Sequence, residues 1–510
     1  MSSSIHVAVI DDGVAEYIPG LKFRCHSQID KSSGITLYKG EHYISHGTVC
    51  AGIIHKYSEN IELSSIKVLD PHGDGNVEQL LTALEWCLNN KVDVINLSLG
   101  SIYFNDIQRV RKLVNLCANS GIILVCASSN SGFITYPASF SNVVGVRCNY
   151  DGRFQISSDE HYILVNRYDG IEFCSYSEHL LSNPFTGEPY TSKKCNSFAA
   201  PLVTAKICGI LSHNKPNTIN GVLKKLYLAA ANPNCTEHDN YFLKPDWISR
   251  AVIIDICFYR NTKASYYFDI ALHRSLSSIN SLYELDTGNY DYDTLILRAG
   301  SPLNFDEKLI NYVNSLNKNV VFIDVYLESS LFNSDSYKVW HNNLKYYAIH
   351  EDTGHLFTPK DNVPNIFIFI GDCRIDTLLI ISHLKKYFSE ESYNTNCIYD
   401  EAVSILYDID YIPLANIRRE SSKVIDYVNK MDYLANYDLN IWFSSFNNKQ
   451  FYKKLVRPLK ADIIIDIGLD NNTIIADLLT DSSQKHSLRL GSIDAVEAEA
   501  LCNAILSLLT

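Results

Sequence analysis

The sequence predicts an α/β protein in which a mostly parallel β-sheet is covered by helices on both faces, followed by a second α/β region. With 510 residues the chain is longer than one ordinary domain, and its length favours roughly two to four domains. Short apolar runs such as residues 5–10, apolar except for His6, are typical of strands buried on both faces. These runs alternate with longer amphipathic segments, and the alternation indicates a parallel sheet with right-handed crossovers.

The elements of the first region follow from this periodicity. Apolar runs predict strands at residues 5–10, 63–69, 92–97, 122–127 and 143–146. Amphipathic segments predict helices at residues 46–57, 77–90, 105–119, 197–212 and from about Pro216 to Ala231. Pro201 lies near the start of its helix, where proline is tolerated.

The second region begins after a loop signal. Asn232-Pro233-Asn234 predicts a loop and a domain edge. We expect one domain at residues 1–240 and a C-terminal α/β region at 247–510, with a further division into 247–355 and 362–510. Strands are predicted at 251–259, 294–298, 320–326, 365–370, 439–443 and 462–467, and helices at 306–316, 376–388 and 494–509.

Composition and charge limit the classes of partner. The net charge of −13 and the pI of 5.6 argue against nucleic acid or an anionic membrane, because both require clustered Lys and Arg. No run of about 18 apolar residues predicts a transmembrane helix. The first residues lack the features of a signal peptide, and the fourteen cysteines form no CxxC pair, which favours reduced thiols. We therefore expect a cytoplasmic protein.

Four short segments carry the residues that suggest chemistry. Asp11 ends a predicted buried strand, His46 begins a predicted helix, Asn130 follows a strand, and Ser197 begins another helix. A serine hydroxyl becomes a nucleophile when an imidazole takes its proton and a carboxylate orients that imidazole. A donor such as the Asn130 amide could stabilise the resulting oxyanion. Asp, His and Ser in this order form one of the known chain orders of the catalytic triad.

These segments resemble those of the subtilisin-like serine peptidases, the subtilases, over about residues 5–232. His46-Gly47-Thr48-Val49-Cys50-Ala51-Gly52 matches the family pattern His-Gly-Thr-x-x-Ala-Gly completely. Ser98-Leu99-Gly100 matches the strand that pairs with an extended substrate, and Tyr136-Pro137 resembles the pair that follows the family's Asn. The resemblance implies a subtilisin-like fold and a serine endopeptidase that acts on a peptide or protein substrate.

The resemblance also implies a role for each site residue. Asp11 would orient His46, His46 would act as general base and acid, and Ser197 would be the nucleophile. Asn130 would stabilise the oxyanion together with the Ser197 N–H. Substrate would lie along Ser98, Leu99 and Gly100 by β-augmentation.

Several neighbours depart from the family pattern. Asp12 replaces a Ser or Thr, and its carboxylate either raises the basicity of His46 or points to solvent. Cys195-Asn196 replaces Gly-Thr before the serine, and Phe198 replaces Met. Ser129 and Thr135 would narrow the specificity pocket. These changes predict a restricted substrate range and limited proteolysis, such as leader removal in peptide maturation; the alternative is an inactive pseudopeptidase that binds peptides or scaffolds a maturation complex.

No metal or cofactor is expected. His42 and His46 have the i, i+4 spacing of a zinc helix, but position 43 is Tyr rather than the Glu of a metalloprotease. The resemblance further implies no obligatory calcium, because most of the N-terminal segment that forms a calcium site in many relatives is missing.

The C-terminal half contains a degenerate P-loop-like unit. The strand at 365–370 leads into a loop and a helix, but Asp376, Thr377 and Leu378 replace the Gly, Lys and Ser/Thr that bind phosphate. We therefore expect no nucleotide binding. This half weakly resembles accessory proteins of bacterial peptide-maturation clusters, and we expect it to recognise a partner or substrate or to mediate oligomerisation.

Overall fold

The structure is a computed structural model of the whole chain. It describes residues 4–149, 161–165, 169–213, 218–232, 244–257, 262–285, 287–304, 307–326, 337–342, 363–480, 485–492, 495–496 and 498–509. The predicted domain edge at Asn232-Pro233-Asn234 and the predicted boundaries at 355 and 362 lie wholly or partly outside these ranges. The division into domains therefore stays a prediction.

A nine-stranded sheet forms the centre of the N-terminal region. Its strands are β1 (Ile5–Asp11), β2 (Lys22–Ile29), β3 (Ile35–Leu37), β4 (Ile61–Lys67), β5 (Val94–Leu97), β6 (Ile123–Ala127), β7 (Val143–Cys148), β8 (Tyr162–Leu164) and β9 (Phe173–Ser175). Their order is β3-β2-β4-β1-β5-β6-β7-β9-β8, and all neighbours are parallel except β2–β3 and β8–β9. A separate antiparallel pair consists of β10 (Leu180–Ser182) and β11 (Pro189–Thr191).

Helices cover both faces of this sheet. They are α1 (His46–Tyr57), α2 (Val77–Asn89), α3 (Ile107–Asn119), α4 (Asn196–His213) and α5 (Ile219–Ala229). Alternate residues of β1 enter the two apolar layers: Val7 and Val9 belong to the cluster with α1, α4 and α5, whereas Ala8 and Ile10 belong to the cluster with α2 and α3. Burial on both faces explains why β1 is apolar almost throughout.

Two further sheets make up the C-terminal region. The first, in the order β13-β12-β14-β15-β16, is parallel throughout; its strands are β12 (Arg250–Ile256), β13 (Asp269–Leu276), β14 (Thr294–Asn304), β15 (Asn319–Tyr326) and β16 (Val339–His341). The second has the order β19-β18-β20-β17-β21-β22-β23-β24; its strands are β17 (Asn365–Ile370), β18 (Thr395–Tyr399), β19 (Asp410–Tyr411), β20 (Leu439–Ser445), β21 (Ala461–Asp470), β22 (Thr473–Thr480), β23 (Lys485–Ser492) and β24 (Ala495–Val496). The helices are α6 (Glu307–Leu316), α7 (Thr377–Glu390), α8 (Leu414–Arg419), α9 (Ser421–Leu434), α10 (Lys449–Val456) and α11 (Ala498–Leu509).

The two C-terminal sheets share one hydrophobic core. Ile253 and Ile296 from the five-stranded sheet lie in the same buried cluster as Ile366 and Ile441 from the eight-stranded sheet. The two sheets therefore stabilise each other through common apolar contacts.

The predicted fold class is confirmed, since the chain is a mixed α/β protein with largely parallel sheets. In the part of the chain that the structure describes, no helix is long and apolar enough to cross a membrane. The carboxyl ends of β1, β5 and β6 meet at one edge of the nine-stranded sheet, and α1 and α4 begin beside that edge. Ligand and catalytic groups of open α/β sheets gather at such edges.

Candidate active site

A carboxylate and an imidazole pair at this edge. Asp11 is the last residue of β1 and is 1% exposed, and His46 is the first residue of α1. His46 Nδ1 lies 2.9 Å from each of the two Asp11 carboxylate oxygens. The backbone N–H of Asp12 also donates to Asp11 Oδ1 at 2.8 Å. The Asp11 carboxylate accepts a hydrogen bond from the Nδ1–H group, so Nε2 is the nitrogen of the neutral imidazole that can accept a proton.

Two side chains hold the N-terminus of α1 against β1. Ser45 is the N-cap residue and accepts from the Thr48 N–H at 3.1 Å. The Asp12 carboxylate accepts from the N–H groups of His46 at 3.0 Å and Gly47 at 2.8 Å. A negative charge at a helix N-terminus is favourable. The prediction that left Asp12 either near the imidazole or in solvent is thus refined: Asp12 caps the helix that carries His46.

Gly47 allows α1 to approach the sheet this closely. A Cβ at this position would lie 2.3 Å from the Gly13 carbonyl oxygen and 3.0 Å from Asp11 Cβ. Both neighbours belong to the segment that carries the carboxylate. A side chain at position 47 would therefore separate His46 from Asp11.

The surroundings of His46 favour its protonated form. Burial by itself lowers the pKa of His46. This is outweighed by the hydrogen bond and charge of Asp11, by a hydrogen bond with the Cys195 thiol and by the charge of Asp12. Together they raise the pKa of His46 to about 10. The Phe198 ring stacks on the imidazole, with ring centroids 4.8 Å apart. Burial and the neighbouring Asp11 charge raise the pKa of the Asp12 carboxyl. They outweigh the hydrogen bonds from the two backbone N–H groups, which lower it.

Ser197 is the second residue of α4 and is 8% exposed. Its carbonyl oxygen accepts from Ser98 Oγ at 3.1 Å and from Cys50 Sγ at 3.6 Å, which fixes its backbone beside β5 and α1. Among the hydrogen bonds of the described residues, none joins the Ser197 hydroxyl to His46. Catalytic hydrogen bonds often tighten only when substrate binds.

Asn130 is tied to the start of α4. The Asn130 Oδ1 atom accepts from the Asn196 N–H at 3.0 Å. The Nδ2 group of Asn130 therefore points away from the Asn196 N–H. The Asn196 amide donates to the carbonyls of Ser128 at 3.2 Å and Ser129 at 2.9 Å, and its oxygen accepts from the Cys148 N–H at 2.8 Å. Asn196, one of the departures from the family pattern, thus joins the serine-bearing helix to the loop that carries Asn130.

The predicted substrate strand and the predicted pocket wall lie against each other. Ser101, directly after Ser98-Leu99-Gly100, forms an antiparallel bridge with Tyr136, with hydrogen bonds of 2.8 and 2.9 Å. A Cβ on Gly100 would lie 2.5 Å from Thr135 Cγ2 and 2.8 Å from the Tyr136 carbonyl oxygen. Only glycine therefore fits at position 100.

The sequence indicated Cys50 only as part of the His46–Gly52 pattern and did not predict its contacts with the site. Its Sγ lies 3.8 Å from Asp11 Oδ2 and 3.5 Å from Ser98 Oγ. The ligand-type atoms of Asp11, His46 and Cys50 lie within 4.8 Å of one another, which a metal ion could bridge. Burial raises the pKa of Cys50 well above its ordinary value, so the group keeps its proton, whereas metals bind the thiolate. The cluster fits the carboxylate–imidazole pair better than a metal site.

The degenerate P-loop-like unit has the predicted strand–loop–helix form, from β17 to α7. Asp376 caps α7 by accepting from the Leu379 N–H at 3.1 Å. The same carboxylate accepts from Thr262 Oγ1 at 2.9 Å and from the Lys263 N–H at 2.8 Å. A carboxylate therefore occupies the helix N-terminus where a phosphate would bind, and the absence of a nucleotide site stays a prediction.

A carboxylate–imidazole pair at the carboxyl edge of a parallel sheet is an arrangement that α/β serine hydrolases also have. Residues 2–244 match the family model described as the Subtilase family.

Curated relatives include the minor extracellular protease Epr of Bacillus subtilis, 27% identical over 234 residues that make up 44% of this chain and 34% of Epr. M-protease of Shouchella clausii is 29% identical over 43% of this chain and 56% of its own length. Subtilisin Savinase of Lederbergia lenta is 29% identical over 43% of this chain and 80% of its own length. The chain thus spans about a third of the length of Epr and just over half that of M-protease.

Among solved structures, one titled as a lanthipeptide protease aligns with 19% identity and a TM-score of 0.38, over 45% of this chain and 80% of its own. By the family match, the N-terminal region is subtilase-like in sequence, and the curated relatives that it matches are named as proteases or subtilisins. The family match ends at residue 244, so the resemblance of the C-terminal half to peptide-maturation proteins stays a prediction.

Proposed function

We propose that this protein is a serine endopeptidase in which Asp11, His46 and Ser197 form the catalytic triad. The observation that carries the proposal is the pairing of His46 Nδ1 with both oxygens of the buried Asp11 carboxylate, beside the helix that begins with Asn196-Ser197. The subtilase match over residues 2–244 supports it independently.

The chemistry follows from the positions of these groups. His46 Nε2 takes the Ser197 proton while the hydroxyl oxygen attacks the peptide carbonyl, and Asp11 stabilises the imidazolium that forms. The Asn130 amide and the Ser197 N–H, in the first turn of α4, then stabilise the oxyanion. Loss of one such donor typically costs about 2.7–4 kcal/mol of transition-state stabilisation.

We also propose that the enzyme performs limited proteolysis, such as leader removal from a precursor peptide. Substrate would lie along Ser98-Leu99-Gly100, with Ser129 and Thr135 at the pocket. The crowding of Gly100 by Thr135 and Tyr136 supports a narrow binding groove. The domain limits of 1–240 and 247–510, and oligomerisation through the second of these, belong to the same proposal.

We propose a cytoplasmic location as well. Every cysteine in the described part of the chain is a free thiol. Large numbers of free thiols suit a reducing compartment.

Cleavage of a peptide library by the full chain tests the proposed activity. We expect the Ser197→Ala variant to lose cleavage while peptide affinity changes little, because the hydroxyl acts on the transition state. Ser212→Ala is a matched control at the other end of α4 and should cleave like the wild type. Cleavage by Ser197→Ala at the wild-type rate would show that another residue is the nucleophile.

A further inference from the structure

The loop between Asn130 and Tyr136 contacts the C-terminal region. The Ile134 N–H donates to the Leu434 carbonyl oxygen at 2.7 Å. Leu434 is the last residue of α9, where carbonyl oxygens lack N–H donors within the helix. A helix end from outside the subtilase-like region thus takes up a backbone donor from a loop of the candidate active site.

Side chains strengthen this contact. The Phe133 ring packs on the Tyr433 ring, with centroids 5.8 Å apart and planes inclined by 34°. Ile134 packs against the apolar cluster to which Val428 and Leu434 of α9 belong. Two consecutive loop residues are therefore attached to one end of one helix.

A network of paired charges around the buried Arg111 joins the C-terminal region to the subtilase-like region. Arg111 of α3 is 6% exposed, pairs with Asp408 at 3.1 Å, and lies over the Tyr267 ring at 4.3 Å. Asp408 also pairs with Lys385 at 2.9 Å. Charges paired in a buried interface hold one relative position well, because any displacement leaves a buried charge without its partner.

The attached loop connects two parts of the candidate site. Asn130, the predicted oxyanion donor, lies four residues before Ile134, and Thr135, the predicted pocket residue, follows it directly. Thr135 Cγ2 in turn lies against Gly100 of the predicted substrate strand. A shift at residues 133–134 would therefore move both the donor and the pocket wall.

We propose that Tyr433 and Leu434, at the end of α9, are positioning residues for the substrate loop of the peptidase. They hold Phe133 and Ile134 so that Asn130 and Thr135 keep their places beside Ser98-Leu99-Gly100. This inference rests on the proposed function of the site. It makes the C-terminal region part of the substrate-binding apparatus.

The test uses the full-length Tyr433→Ala variant. We expect kcat/KM for a cleaved peptide to fall about tenfold, a fraction of the 10²–10³-fold loss that removal of an oxyanion donor causes. The conservative variant Tyr433→Phe should have the wild-type kcat/KM, because it keeps the ring that contacts Phe133. Phe133→Ala removes the same ring contact from the other side and should cause the same loss. This second variant keeps the test usable if Tyr433→Ala folds poorly.

Phe446→Ala is the matched control. Phe446 is a 49% exposed aromatic residue of the same C-terminal region, after β20, and we expect its truncation to leave kcat/KM unchanged. Wild-type kcat/KM in both Tyr433→Ala and Phe133→Ala would overturn the positioning role.

Amide hydrogen exchange over residues 131–136 separates this inference from the proposed function, because it requires no activity. We expect the Ile134 amide to exchange faster in Tyr433→Ala than in the wild type and in Phe446→Ala. If the wild type cleaves no peptide, the proposed function is refuted. The positioning role is then tested by the amide hydrogen exchange of Ile134 alone. Unchanged protection of Ile134 would then overturn it.

Discussion

The proposed chemistry depends on the imidazole of His46. Its neighbours Asp11, Asp12 and Cys195 outweigh burial and raise its pKa to about 10. A general base must be neutral to accept a proton. The raised pKa therefore favours the imidazolium form of His46 in the unliganded site.

We predict that kcat/KM increases with pH up to about pH 10, where His46 loses its proton. The raised pKa also makes a stabilising contribution that is complete below the unfolded value of about 6.5 and is lost as pH rises through the folded value. Titration of the His46 ring by NMR checks the midpoint, with His46→Gln to assign the signal. Asp11→Asn should lower that midpoint; an unchanged midpoint in Asp11→Asn would contradict the assigned cause.

At this scale the sequence indicated the pairing of Asp11 with His46 but not the roles of the neighbouring residues. The pattern around His46 is complete, and Asp11 and His46 are in contact as expected. The cap that Asp12 provides could not be predicted, because it depends on where a helix 34 residues later begins relative to β1. The interaction of Cys195 with His46 likewise depends on the path of the chain into α4.

At the scale of single elements, the seating of α1 on the end of β1 determines the site. Alanine usually stabilises a helix interior by about 1 kcal/mol relative to glycine. At position 47, however, the added Cβ would lie 2.3 Å from a backbone oxygen. Steric overlap and helix propensity therefore act in opposite directions.

We predict that Gly47→Ala destabilises the protein by about 1–3 kcal/mol, as overpacked sites do, and lowers kcat/KM at least tenfold. Gly209→Ala is the control, because a Cβ at that position in α4 meets no atom within 4 Å. It should be neutral or stabilising by up to about 1 kcal/mol. Urea denaturation and kinetics measure both effects, and equal losses in the two variants would contradict the steric account.

The sequence predicted several of the buried parallel strands well, although it missed β18. The strand at 365–370 agrees in both limits, and α1 agrees over its whole length. The antiparallel strand β22 was missed because apolar residues occupy both of its faces, so Ile474 and Ile475 show no alternation. β23 was missed because Lys485, His486 and Arg489 make it largely polar.

At the scale of the whole molecule, a buried charge network joins the two regions. Arg111 and Asp408 are 297 residues apart in sequence. No local pattern indicates such a partner, so this interface could not be predicted from the sequence. The contact between Ile134 and α9 could not be predicted from the sequence for the same reason.

We predict that Arg111→Ala lowers the free energy of unfolding by about 1.5–3 kcal/mol, the typical contribution of a hydrogen bond to a charged group, because the partly buried Asp408 loses Arg111 and keeps Lys385. Arg109→Ala is a matched control two residues away on α3. Arg109 pairs with Glu78, and both side chains are about half exposed, so the expected loss is about 0–1 kcal/mol. Equal losses in chemical denaturation would show that the network does not stabilise the molecule.

Reaction of the folded, full-length protein with a fluorophosphonate probe tests the central claim most directly. The proposed triad predicts a single covalent adduct, mapped by mass spectrometry to Ser197, at a rate that rises with pH as His46 loses its proton. Ser197→Ala should remain unlabelled, and Ser212→Ala should label like the wild type. Absence of an adduct in protein shown to be folded, or an adduct on a different serine, would contradict the account.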